Sequence, residues 1–157
     1  EDQLKALGAA SASSGAVALF HAIGVTPEAA TLADAFQNQE PEQIIPVTLA
    51  DLRASLAKLG TVPDGKIDVV ALGSPHFSLA EFAQLMPLLE QYPPHPDVEF
   101  SVATHRLILT QLEQRGWLAK LRAANVQVIV DTCVVVTPIV KAQSGVLMTR
   151  SSRRTLK

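Results

Sequence analysis

Short continuous apolar runs alternate along this chain with longer stretches in which apolar residues recur every three or four positions. The first pattern is typical of strands buried on both faces, and the second is typical of amphipathic helices. The apolar runs predict five strands, at 16–20, 67–72, 98–102, 126–130 and 145–148. The helical periodicity predicts helices over 1–10, after Thr26, Thr48 and Ser78, and over 105–124 with a break near Gly116. Strands and helices that alternate in this way predict parallel βαβ units, and therefore a doubly wound, mainly parallel α/β sheet with helices on both faces.

Three of the predicted helices have further support in the local sequence. Thr26, Pro27 and Glu28 combine a threonine N-cap, a proline at the first helical position and a carboxylate at the positive end of the helix dipole. Ser78 and Glu81 have the spacing of a capping box, in which each side chain bonds to the backbone amide of the other residue. The helix after Thr48 carries leucines on one face, which we expect to point inward: Leu49, Leu52, Leu56 and Leu59.

The composition fits one folded α/β domain over residues 1–157 and excludes several classes of protein. Hydrophobic residues make up 48% of the chain but aromatic residues only 4%, which suits a core of small aliphatic side chains. The 15 acidic and 13 basic residues leave a net charge of −2, so no electrostatic feature favours nucleic acid or an anionic membrane as a partner. No apolar run is long enough to cross a membrane. The chain begins without a methionine and ends in a basic stretch, so we expect a piece of a longer protein.

The single cysteine, Cys133, excludes an internal disulfide and fits a reducing compartment, so we expect a cytoplasmic location. A free cysteine is often just a small buried hydrophobe. This one comes directly after a predicted strand, beside Asp131 and Thr132. A thiolate in such a position could be a nucleophile or an iron ligand.

Polar residues collect directly after the predicted strands. They lie at 21–24, 73–78, 104–106, 131–133 and 149–152. The carboxyl ends of parallel strands meet at one edge of a sheet, and ligands of open α/β sheets bind in the crevice outside that edge. The sequence therefore predicts a binding site at this edge.

Each candidate residue also has a purely structural interpretation. His76 could be a structural hydrogen-bonding residue, although the helix N-terminus just after it would attract a substrate carboxylate or phosphate. Ser78 is most simply an N-cap, Glu28 most simply compensates a helix dipole, and His21 could be a buried imidazole with its hydrogen bonds satisfied. The sequence motifs of common hydrolases, kinases, dinucleotide-binding proteins and zinc proteases are absent. The residues alone indicate an α/β domain that contributes one edge of a polar site, with one cysteine that is a candidate metal ligand or nucleophile.

Five segments, taken in order, resemble the aconitase X family. They are residues 8–17, 21–29, 72–82, 130–133 and 146–149. The resemblance implies a large part built of α/β/α domains and a small swivelling domain that closes on it. It also implies a hydro-lyase. Bacterial members of the family dehydrate cis-3-hydroxy-L-proline, which we expect here, and archaeal members dehydrate mevalonate 5-phosphate.

The resemblance further implies an iron or iron–sulfur centre, expected as a [2Fe–2S] cluster, with Cys133 as a ligand. Many relatives have a cysteine where this chain has Ser74. The family's catalytic serine belongs to the small domain and has no counterpart here. We therefore expect the other ligands and the catalytic base to come from elsewhere, with the swivelling domain as a partner in the same chain or as a separate subunit. Arg150 stands where relatives usually have asparagine, so the end of this chain departs from the family pattern.

The resemblance also suggests roles for the candidate residues in an elimination of water. His76 and His21 are the expected catalytic residues: His76 holds the substrate carboxylate or protonates the leaving hydroxyl, and His21 orients a neighbour. Substrate binding is expected from four hydroxyl side chains: Ser13, Ser14, Ser78 and Thr149. Two other interpretations stay open, a non-catalytic remnant that binds a small carboxylate and an enzyme that uses Cys133 with His76 as a nucleophilic pair.

Overall fold

A computed structural model describes residues 1–60, 62, 65–141 and 145–149, together with the backbone of 153–156. The chain forms two compact units, the first Glu1–Leu49 and the second Ala50–Lys157. The sequence led us to expect one domain over 1–157. That expectation stays a prediction, and the five strands of the described sheet all belong to the second unit. The part of the predicted polar edge at 150–152 lies outside the described residues.

The first unit contains helices α1 (Asp2–Gly15) and α2 (Leu32–Phe36). The strand predicted at 16–20 is wrong. Helix α1 ends at Ala16, which has the left-handed conformation with φ 53°, and the apolar run that follows is partly exposed, with Leu19 at 73%. An apolar run forms a strand only where a neighbouring strand pairs with its backbone N–H and C=O groups. The described residues of this unit contain no strand that could pair with residues 16–20.

The helix predicted to start at Thr26 is also wrong. The Thr26 hydroxyl bonds to the backbone of Ala22, which precedes it, and so closes a turn instead of capping a helix. Helix α2 starts six residues later at Leu32, where Thr31 and Asp34 form a capping box. A threonine hydroxyl can form hydrogen bonds with backbone groups that precede it or that follow it. The residue types around Thr26 therefore do not decide between a helix N-cap and a turn.

Helix α3 (Leu49–Leu59) forms where the periodicity predicts it, but its apolar face is not buried. The four leucines that we expected to point inward are between 48% and 62% exposed. The expectation that these leucines point inward is therefore wrong, because none of the described residues buries this face of α3. Helical spacing predicts which residues share a face, but it does not show what packs against them.

The second unit is built on one sheet with the strand order β3-β2-β1-β4-β5. Its strands are β1 (Val69–Phe77), β2 (Glu99–Thr104), β3 (Val126–Val130), β4 (Gly145–Thr149) and β5 (Arg153–Leu156). The first four are parallel, and β5 pairs antiparallel with β4. Four of the five predicted strands are confirmed, whereas β5 was not predicted. The α/β fold with a mainly parallel sheet is therefore confirmed.

Helices α4 (Leu79–Gln91), α5 (Arg106–Gln114) and α6 (Trp117–Ala123) pack with the sheet around one core. Its fully buried members include Phe82, Val102, Leu112, Leu121 and Val126. A smaller cluster of Val69, Ala71 and Leu147 packs with Val134 and Val140. The predicted break between α5 and α6 is confirmed at Gly116, and none of the helices in the described ranges is long and apolar enough to cross a membrane.

Strand β1 carries a local irregularity at its carboxyl end. Leu72 pairs with Val102, but the next pair is Phe77 with Thr104, so four residues of β1 lie opposite one residue of β2. We call these four residues, 73–76, the β1 loop. The loop is fixed at one end by Gly73, where a Cβ atom would lie 1.9 Å from the backbone oxygen of Ala103. It is fixed at the other end by the Thr104 hydroxyl, which donates to the Phe77 carbonyl at 2.6 Å.

Candidate functional site

The carboxyl edge of the sheet brings the β1 loop against the turn that follows β3. Cys133 lies half-buried in this turn, and its Sγ is 3.5 Å from Oγ of Ser74 in the loop. Ser74 is exposed, so the pair is accessible from solvent. The extra length of the β1 loop makes this contact possible, because a regular strand would continue past the edge without turning a side chain toward β3.

The surroundings of Cys133 favour its thiolate. Burial raises the pKa of the Cys133 thiol, but its hydrogen bonds with the Ser74 hydroxyl and with the backbone at Val135 and Val136 lower it, and the pKa falls below its ordinary value. The chain turns at this point, since the amides of Val136 and Thr137 donate to the Cys133 carbonyl, and this turn brings the amides of Val135 and Val136 near the sulfur. A thiol with a lowered pKa is a better metal ligand and a better nucleophile at neutral pH.

An ion pair joins the ends of β2 and β3 at the same edge. Asp131 has the left-handed conformation, with φ 58°, and its amide donates to the Thr104 carbonyl. Its carboxylate accepts hydrogen bonds from the backbone amide and from Nε of Arg106. The Arg106 guanidinium holds the pKa of the Asp131 carboxyl below its usual range. We did not assign this pair from the sequence, although two opposite charges directly after two strands were a usable signal.

His76 and Thr149 also lie at this edge. His76 is the last residue of the β1 loop and is half-buried. Thr149 is the last residue of β4 and pairs with Ala71, two residues before the loop. His76, Thr149 and Cys133 thus lie at the same edge of one sheet, as the alternation of strands and helices along the sequence predicted.

Ser78 has the structural role predicted for it. Its hydroxyl accepts a hydrogen bond from the Glu81 amide at 3.1 Å, and the Ser78 amide donates in turn to Oε2 of Glu81 at 2.8 Å. Glu81 is only 6% exposed, so the N-terminus of α4 already holds a carboxylate of its own. A second carboxylate, from a substrate, would meet like charge there. The geometry therefore favours the N-cap role of Ser78 over substrate binding.

The remaining candidates lie in the first unit. Ser13 and Ser14 are exposed in the last turn of α1, and both hydroxyls donate to the Ala10 carbonyl, at 3.1 Å and 2.7 Å. The Nδ1 atom of His21 is 3.6 Å from Oε1 of Glu28, and the His21 side chain is 30% exposed. His21 is thus a partly exposed imidazole beside a carboxylate and is not a buried one.

The described ranges contain no group of three or more histidine, cysteine, aspartate or glutamate side chains that could hold a metal ion. A [2Fe–2S] cluster usually takes four protein ligands, and this chain has one cysteine. The residues present therefore do not fit a self-contained cluster. Cys133 fits one ligand position of a centre that is completed from outside the described residues.

Residues 1–57 match the family described as aconitase X second domain, and residues 67–155 match the family described as aconitase X third domain. A cis-3-hydroxy-L-proline dehydratase from Pseudomonas aeruginosa is 41% identical over 97% of this chain and 27% of its own length. A phosphomevalonate dehydratase large subunit from Methanothermobacter thermautotrophicus is 38% identical over 88% of this chain and 33% of its own.

A solved structure is also similar. The holo-form of Thermococcus kodakaraensis aconitase X matches with a TM-score of 0.78 and 28% identity, over 96% of this chain and 37% of that one. The chain therefore spans between about a quarter and two fifths of the length of the relatives it matches. The matches to two consecutive domains cover nearly all of the chain, and it belongs to the aconitase X family.

Proposed function

We propose that this chain is part of a hydro-lyase that eliminates water from a small hydroxy acid, and that cis-3-hydroxy-L-proline is the substrate. The observation that carries the proposal is the 41% identity with a cis-3-hydroxy-L-proline dehydratase over 97% of the chain. A second enzyme with the same name, from Hypocrea jecorina, is 36% identical over the same share. Mevalonate 5-phosphate is the alternative substrate, because a phosphomevalonate dehydratase large subunit is 38% identical.

The chemical problem is the removal of a proton next to a carboxylate. In cis-3-hydroxy-L-proline the proton leaves C2 and the hydroxide leaves C3, and a C=C bond forms between these atoms. Negative charge builds on the carboxylate side during this step, so preorganised donors near that group lower the barrier. We propose that the carboxyl edge of the sheet supplies such donors.

Cys133 would hold one position of an iron or iron–sulfur centre, because its lowered pKa favours the thiolate that iron binds. When bound, the centre would supply Lewis acidity. A [2Fe–2S] form would need its other ligands from beyond this chain, since Cys133 is the one cysteine here.

His76 would donate a proton from a ring nitrogen to the leaving hydroxyl, and the Thr149 hydroxyl would donate a neutral hydrogen bond to the substrate. Both residues lie at the edge where Cys133 lies. We keep His21, Ser13 and Ser14 as candidates for the roles expected from the sequence. The base would come from a small swivelling domain, in the same chain or in a separate subunit, and the cytoplasm stays the expected location.

The test is a dehydration assay of the full-length protein prepared without oxygen. Cis-3-hydroxy-L-proline and mevalonate 5-phosphate are offered in parallel, and iron content is measured in the same preparation. Turnover of the hydroxyproline supports the proposal, and turnover of mevalonate 5-phosphate alone replaces its substrate. A folded, iron-loaded protein that turns over neither would contradict both assignments. Folded protein without iron or turnover would favour a remnant that binds a small carboxylate, whereas rapid selective alkylation of Cys133 would favour a nucleophilic enzyme.

A further inference from the structure

The carboxyl edge of the sheet carries a guanidinium that no part of the proposed function has used. Arg106 is the first residue of α5 and follows β2. Its side chain is 74% exposed, yet it is held at its base, because its backbone amide and its Nε both donate to Asp131. A guanidinium has five N–H donors, and the bond through Nε leaves the two terminal Nη groups for another acceptor. A carboxylate is the acceptor whose two oxygens match that fork.

We propose that Arg106, held in place by Asp131, binds the carboxylate of the substrate. This assignment rests on the proposed function, since it takes a hydroxy acid as the substrate. The charges at the edge support it. Among the first three residues after each of β1, β2 and β3, all of them described, Arg106 is the one with a permanent positive charge. The other feature that could attract an acid, the N-terminus of α4, already holds the buried Glu81 carboxylate.

The position of Arg106 also fits the rest of the candidate site. Asp131 precedes Cys133 by two residues, so their Cα atoms are no more than about 7 Å apart. The Asp131 carboxylate is itself fixed, because the Asp131 amide donates to the Thr104 carbonyl at the end of β2. The guanidinium is therefore anchored to a residue two positions before Cys133, and a small acid bound to its Nη groups would lie at the same edge of the sheet as Cys133 and the β1 loop.

A purely structural role is the competing explanation, since the same pair ties α5 to the end of β3. The two roles differ in kinetics. A residue that binds the carboxylate in the ground state and in the transition state changes KM more than kcat when it is removed. A residue that only ties two elements together changes the amount of folded protein and leaves the KM of the folded fraction unchanged.

The test uses Arg106→Met and Arg106→Lys in the full-length protein, with Lys120→Met as the matched control. Lys120 also forms an exposed ion pair, with Glu90 at 2.8 Å, in the same unit. For Arg106→Met we expect KM to rise by about 10- to 100-fold, the range of a lost charge-assisted hydrogen bond, with kcat changed much less. Arg106→Lys should give a smaller rise, because lysine keeps the charge and loses the fork. Lys120→Met should leave both constants unchanged.

Competitive inhibition gives a second readout that does not depend on folding yield. L-Proline has the carboxylate of the expected substrate, and L-prolinamide has a neutral amide in its place. The wild-type protein should prefer L-proline, and Arg106→Met should lose most of that preference. If wild-type protein turns over hydroxyproline and Arg106→Met keeps its KM and its preference, the Arg106 assignment is wrong while the proposed function stands. If the wild-type protein turns over no hydroxy acid, the proposed function fails and the carboxylate assignment fails with it.

Discussion

Replacement of Gly73 by alanine should strongly destabilise the second unit. Gly73 has φ 92°, and an added Cβ would lie 1.9 Å from the backbone oxygen of Ala103 and 2.7 Å from its carbon and nitrogen. These are backbone atoms of the neighbouring strand, so no side-chain rotation can relieve the overlap. The unfavourable φ costs about 1–3 kcal/mol. The overlap, like other overpacking, adds about 1–3 kcal/mol more.

The assay is urea unfolding followed by the fluorescence of Trp117, the single tryptophan, which packs against the core of the second unit. With an m-value of about 2 kcal/mol/M, a loss of about 4 kcal/mol would lower the midpoint by about 2 M. Gly116→Ala is the control, because Gly116 has φ 69° but no atom within 4 Å of the added Cβ. It should show the conformational cost alone. Equal shifts for the two variants would refute the argument that contact with Ala103 requires glycine at position 73.

Three further predictions concern the site. In the metal-free protein, the pKa of the Cys133 thiol is lowered, so its alkylation rate should reach half of its maximum at a pH below that of an ordinary thiol. Ser74→Ala should move this midpoint to higher pH, whereas the control Ser14→Ala should leave it in place. An unchanged midpoint in Ser74→Ala would contradict the hydrogen bond between Cys133 and Ser74. Cys133→Ser should lower the iron content of the full-length protein, measured by metal analysis, and unchanged iron would exclude Cys133 as a ligand. Ser78→Ala should destabilise the second unit by about 1 kcal/mol in the same urea assay, through loss of the N-cap, with KM unchanged; a raised KM with unchanged stability would instead assign Ser78 to the substrate.

The sequence predicts those elements whose cause is local. The apolar runs of β2 and β3 and the capping box of Ser78 and Glu81 depend on residues a few positions apart, and the structure confirms them. The placement of Cys133 and His76 at one sheet edge follows from the alternation of strands and helices, because parallel strands place their carboxyl ends together. The part of the edge that follows β1 and β3 was therefore predictable, but residues 21–24 follow no strand and were wrongly assigned to it.

Features that depend on distant partners were not predictable. The start of the β1 loop depends on the close approach of Gly73 to Ala103, which is thirty residues away in the sequence. The residues around Gly73 give no sign of this approach. Thr26 has the residue types of a helix start, but its hydroxyl bonds to Ala22 behind it. The leucines of α3 have helical spacing, yet their exposure depends on what covers them. Secondary structure was thus easier to predict than packing.

The way in which the β1 loop is fixed has a consequence for how such a site can diverge. Gly73 and the Thr104 hydroxyl hold the loop at its two ends, so the residues between them are not needed for the ladder between β1 and β2. Substitutions at 74 and 76 can therefore change the chemistry next to Cys133 without rebuilding the sheet. Ser74 illustrates this, because exchange of its oxygen for sulfur would place a second thiol beside the first on an unchanged backbone. Related chains can in this way differ in the groups they offer a ligand while they inherit the same scaffold.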